Sequence, residues 1–84
     1  MEIELDMKQK IIKTEQKFDT KVVKNHTGQV IKEKTYKSGK LHGPINLYWD
    51  NGSPRLQGKF NDNVRIGNWK HYDNEGKLIL EEEF

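Results

Sequence analysis

Ile45-Asn46-Leu47-Tyr48-Trp49-Asp50-Asn51-Gly52 is the stretch on which the fold turns. Large apolar side chains recur through it at strand spacing, and it closes on Asp-Asn-Gly. A β-strand running into a tight turn has this pattern, and an amphipathic helix does not. The motif returns as Asn68-Trp69-Lys70-His71-Tyr72-Asp73-Asn74-Glu75-Gly76. Gly28, Gly52 and Gly76 are spaced by 24 residues, as are Tyr36, Phe60 and Phe84. Gly43 matches Gly67, and Tyr48 matches Tyr72. A fixed period of this length marks an architecture that grows by adding one unit to the next. The best copies are residues 37–60 and 61–84. A weaker one covers residues 13–36, with Lys24 where Tyr is expected and Asp19 where Gly is expected. Ile12, 24 residues before Tyr36, hints at a half-copy ahead of it.

Each unit reads as one hairpin. In a three-residue loop such as Asp50-Asn51-Gly52, a type I turn is followed by a bulge whose Gly takes positive φ. A two-residue Asn51-Gly52 turn fits less well, because Glu75 occupies the matching place and Glu is a poor positive-φ residue. The three-residue loop sets Tyr48 opposite Pro54 and Tyr72 opposite Leu78. One face is then expected to collect Tyr48, Leu56, Phe60, Tyr72, Leu78, Leu80 and Phe84. The other collects Ile45, Leu47, Trp49, Trp69 and Ile79 with Arg55, Gln57 and His71. A slip of one residue would exchange the faces. Between units, longer turns are expected over residues 38–43 and 62–67. Gly39 and Asn63 there are suited to the left-handed conformation. Strands are expected near 20–25, 29–37, 44–49, 53–60, 68–73 and 77–84. Ile3–Phe18 fits a strand or a helical face, and a strand near 3–13 continues the repeat register. The expected fold class is all-β: a single-layer antiparallel meander of β-hairpins built from 24-residue repeats. It forms one domain over residues 1–84, with a degenerate segment 1–21 and a weak repeat to 36.

Composition narrows the function. Of 84 residues, 32% are hydrophobic and 33% charged, so no thick core is available. A chain of this size buries only about 60–65% of its unfolded surface. Disorder is disfavoured by a net charge of only +2, two Trp, three Tyr and three Phe. Cysteine is absent, which removes disulfides and Cys-based zinc sites. No apolar run approaches the roughly 20 residues of a membrane span, and the acidic start Met1-Glu2-Ile3-Glu4 lacks the apolar region of a signal peptide. A soluble, cytoplasmic protein is expected. Charge is uneven: residues 8–40 hold ten Lys, no Arg and three acids, whereas residues 41–84 hold five basic and seven acidic residues.

The run Tyr36-Lys37-Ser38-Gly39-Lys40-Leu41-His42-Gly43, followed by Leu47-Tyr48-Trp49-Asp50-Asn51-Gly52 and Gly58-Lys59-Phe60, resembles the variant MORN repeat. Phe60 to Gly67, Trp69, Tyr72 and Gly76 resemble it again. The likeness spans about residues 22–84, with Lys24 and Asp19 as departures. It implies an elongated sheet of hairpins without catalytic residues. Many bacterial members are described as antitoxins of toxin–antitoxin pairs, and others as protein-interaction arrays. The parent family is named for a proposed membrane role.

Chemistry-bearing motifs are sparse. His26, His42 and His71 lie in different elements and lack metal-ligand spacing. Gly39-Lys40 and Gly76-Lys77 lack the rest of a phosphate loop. Glu81-Glu82-Glu83 reads as a solvated run rather than a catalytic pair. No enzyme, cofactor or metal is expected. The expected function is a protein-interaction module, antitoxin-like on the resemblance, that occludes a partner such as a toxin. Its contact residues would be Ile45, Leu47, Trp49 and Trp69, flanked by Arg55, Lys70 and His71, on a sheet face left open. The bland alternative packs these aromatics within the repeat or under the N-terminal segment. A second functional class is a polyanion binder using Lys21, Lys24, Lys32, Lys34 and Lys37 on nucleic acid or anionic lipid. The lack of Arg and aromatics in residues 19–35 speaks against base reading and stacking. Self-association through sheet edges, or service as a segment of a longer array, is the third reading.

Overall fold

Two kinds of turn, each dictated by its residues, fold the chain back and forth. The computed structural model describes residues 18–84. They form β1 (Phe18–Lys24), β2 (Val30–Lys37), β3 (Lys40–Tyr48), β4 (Pro54–Asn61), β5 (Val64–Tyr72) and β6 (Leu78–Glu83). The six strands make one open antiparallel sheet in chain order. The described residues contain no helix, hence none long and apolar enough to cross a membrane. The strand expected near 3–13 lies outside the described residues.

The first kind of turn closes β1–β2, β3–β4 and β5–β6. Trp49 N–H donates to Ser53 O at 2.9 Å and Gly52 N–H to Trp49 O at 2.9 Å, with Gly52 at φ 89°. The same pair of bonds recurs at Asn25/Gln29 with Gly28 and at Asp73/Lys77 with Gly76. This is the expected three-residue loop, and Tyr48 and Tyr72 oppose Pro54 and Leu78 as its geometry requires.

The second kind is shorter than expected. Ser38 and Gly39 sit at φ 50° and 83°, and Asp62 and Asn63 at 47° and 71°. Two successive positive φ values define a type I′ turn, whose twist matches that of the strands it joins. The loops expected over residues 38–43 and 62–67 are therefore two-residue turns, and β3 and β5 start four residues early. Gly43 and Gly67, at φ 103° and 72°, do not end a loop. They bend the strands near register shifts between β2 and β3 and between β4 and β5. The Asp62-Asn63 turn leans back on β3: Asn63 N–H donates to Leu41 O at 2.8 Å, and Asn63 Oδ1 accepts from Leu41 N–H at 2.9 Å.

The expected grouping of side chains by face needs correction. Leu47 opposes Leu56, yet Tyr48 opposes Pro54, so Arg55 has no partner. Ile31 and Ile79 are skipped in the same way. One extra residue per hairpin shifts the rest of the strand to the other side. Leu56, Phe60, Leu80 and Phe84 therefore join Ile45, Leu47, Trp69 and His71 on a first face. Tyr48, Tyr72 and Leu78 lie on the second face with Gln57 and Lys70. Only Ile45 (6% exposed) and Trp69 (3%) are buried among the described residues. They are 24 residues apart and take the same place in successive hairpins.

Candidate functional site

Two rows of side chains cross the first face. One runs Val23, Lys32, Leu47, Leu56, His71, Leu80, each opposite the next. The other runs Lys21, Lys34, Ile45, Gly58, then Trp69 opposite Glu82. Gly58 is the reason Trp69 can be buried, because a Cβ there would lie 2.3 Å from the indole. Phe60 meets that indole edge-on at 5.1 Å and Phe84 at 6.1 Å. The Arg65 guanidinium lies 4.4 Å from the Phe84 ring centroid. Trp69 Nε1–H donates to Ile66 O at 3.1 Å, so its polar atom is also satisfied.

The residues expected to form a partner surface are thereby sorted. Ile45 and Trp69 are buried rather than open: Gly58 leaves room for the indole, which Phe60 and Phe84 flank, and Ile45 stands opposite Gly58. Lys70, opposite Gln57, is on the other face. Leu47 and His71 remain half-buried on the first face, and His71 Nε2 lies 3.0 Å from Glu82 Oε1. Trp49 and Arg55 meet at the loop end of the same hairpin, with the guanidinium 4.9 Å from the indole centroid. With Ile31, Lys32 and Leu47 they line an open depression of about 430 Å³.

Trp49 breaks a local rule. Asn25 and Asp73 hold the equivalent place in the other two loops, and each ties its loop with its side chain. Asn25 Oδ1 accepts from Thr27 N–H and Gln29 N–H at 3.0 Å. Asp73 Oδ1 accepts from Glu75 N–H and Lys77 N–H at 2.9 Å. An indole cannot accept such bonds. In the middle loop Asn51 takes over, with Oδ1 accepting from Ser53 N–H at 2.9 Å. Trp49 instead reaches the next hairpin, where Nε1–H donates to Tyr72 O at 3.3 Å.

The second face carries a polar ladder. Tyr48 O–H donates to Glu33 Oε1 at 2.8 Å, and Tyr72 O–H to Gln57 Oε1 at 3.2 Å. The bond to Glu33, helped by burial and by the carboxylate's charge, raises the Tyr48 phenol above its usual value.

The five lysines do not form one patch. Lys21 stands opposite Lys34 and Lys32 opposite Val23, all on the first face. Lys37 is paired with Phe18 on the second face, with its Nζ 5.9 Å from that ring, and Lys24 ends β1 opposite Val30. Lys21 Nζ lies 3.5 Å from Asp19. His42 Nδ1 lies 3.1 Å from Asp62 and His26 is in a loop. No group of three His, Cys, Asp or Glu gathers among the described residues to hold a metal.

Ile31 and Lys32 share the depression with Trp49, and simple alternation does not reveal them because the register shifts at Ile31. The Asn25–Trp49–Asp73 substitution is visible at 24-residue spacing. Compared with protein families, with curated proteins and with solved structures, the chain matches none of them.

Proposed function

We propose that the chain is a non-enzymatic protein-interaction module of MORN-repeat type that binds a partner protein through Trp49, Arg55, Leu47 and His71. The observation that carries this is Trp49 standing where the other loops hold a capping Asn or Asp. A large aromatic standing in place of a capping side chain, stacked with an arginine beside an open depression, suits a desolvated anchor ringed by charge. Ile45 and Trp69 are buried on the same face as Leu47 and His71. The sequence resemblance suggests a toxin as the partner, neutralised by covering its working surface.

The test replaces Trp49 by Asn, the residue at the equivalent place in the first loop. Protein retained from the source cell at high salt by the wild type is lost with Trp49→Asn and with Arg55→Glu, while thermal melting changes little. Retention by both variants overturns the reading.

A second reading rests on Lys21, Lys32 and Lys34 sharing one face. Lysine directly opposite lysine is unfavourable in a sheet and gathers positive potential for a polyanion. Binding of this kind collapses between low and physiological salt, whereas the aromatic-anchored surface persists.

A further inference from the structure

We infer that copies of this chain associate head to tail, with β6 of one copy pairing antiparallel to β1 of the next to continue the sheet. This goes beyond the Trp49 reading and does not depend on it. Among the described residues, exposed large apolar side chains concentrate on the two outermost strands. Seven of the eight that are exposed among the described residues belong to β1, β6 or Phe84, with Val22, Val23, Ile79 and Leu80 among them. Outer strands with such side chains and unpaired backbone groups are templates for strand addition.

Charge selects which edges meet. β1 carries Lys21 and Lys24 against Asp19, and β6 carries Glu81, Glu82 and Glu83. Each edge repels a copy of itself and attracts the other, so β6 to β1 is the favoured contact.

The 24-residue register then fixes the pairs. Lys34, Gly58 and Glu82 are equivalent, and so are Lys21, Ile45 and Trp69. Lys34 stands opposite Ile45, and Trp69 covers Gly58. One step further, Glu82 meets Lys21 of a second copy. Likewise Lys32 opposes Leu47 and Leu56 opposes His71, so Leu80 meets Val23 of that copy. All four side chains lie on the first face, where His71 already holds one oxygen of Glu82. The ion pair relieves the Lys21–Lys34 opposition. At the same places of the 24-residue series the chain's earlier residues are Lys10 and Lys8, where β6 has Glu82 and Leu80. Because the two surfaces differ, each dimer keeps one unused edge of each kind, and assembly continues past the dimer.

Sedimentation velocity on the full chain, from low micromolar to millimolar concentration, tests this. The wild type shows concentration-dependent, open-ended association that weakens with salt. Glu82→Lys and Lys21→Glu each raise the half-association concentration about tenfold or more, with circular dichroism confirming the sheet. An equimolar mixture of the two variants, or both changes in one chain, restores association. Trp49→Asn leaves it unchanged, which separates this contact from the partner surface. A wild type that stays monomeric throughout, or association that ignores both reversals, overturns the inference.

Discussion

Gly58 and Trp69 show how one missing side chain creates a core in a sheet of single thickness. The indole occupies the space a Cβ at Gly58 would need. Gly58→Ala is expected to cost about 1–3 kcal/mol, because overpacking forces the ring from its site. Trp69→Ala is expected to cost about 3 kcal/mol or more. Urea denaturation of both variants measures this, and a stable Gly58→Ala would show that the indole has room to move. Tyr48 makes a pH prediction. Its raised phenol is neutral and donates to Glu33; ionised, it loses that donor and faces a carboxylate. Because the folded value is raised, the stabilisation is complete below the ordinary tyrosine value near 10.0. It is lost as pH rises through the raised value. Ultraviolet titration should find Tyr48 ionising after a free tyrosine, and Tyr48→Phe should remove that late step.

Hairpins are the working elements, and their turns fasten one to the next. Asn63 holds positive φ and bonds Leu41 with both its backbone and its side chain. Asn63→Ala is expected to cost about 1–2 kcal/mol, losing a side chain that tolerates this backbone and an acceptor for Leu41. Asn63→Gly keeps the backbone and loses only the acceptor, so its denaturation midpoint should lie between those of the wild type and Asn63→Ala. The loops of successive hairpins also touch. Asn51 Nδ2–H donates to Asn74 O at 3.0 Å, and Asn25 Nδ2–H to Asp50 Oδ1 at 3.3 Å. Trp49→Asn therefore disturbs one contact among several, and the fold should tolerate it.

Across the whole molecule, stability should fall toward β1. Ile45 and Trp69 anchor the second and third hairpins, whereas the first has Lys21 at that place, opposite Lys34. A repeat without its core residue depends on its neighbour, and its amides open at lower free energy. Hydrogen exchange at a concentration where the chain is monomeric should find β1 amides exchanging well before those of β4. Equal protection across the six strands would show that the first hairpin has another source of stability.

The sequence by itself determined the β character, the hairpin repeat, the three-residue loops and the Tyr48–Pro54 and Tyr72–Leu78 pairs. All of these follow from residues close in the chain: strand alternation, a Gly that must take positive φ, and a period of 24. Only the tertiary structure decided which side chains share a face and which tryptophan is core. Arg55 and its equivalents slip out of pairing, and that slip is set by how two strands twist together rather than by either strand alone. Trp69 is buried because Gly58, eleven residues earlier, leaves it room. Trp49, in the loop that follows β3, is only half-buried. Burial is a property of the neighbours across the sheet, and those neighbours exist only once the register is set.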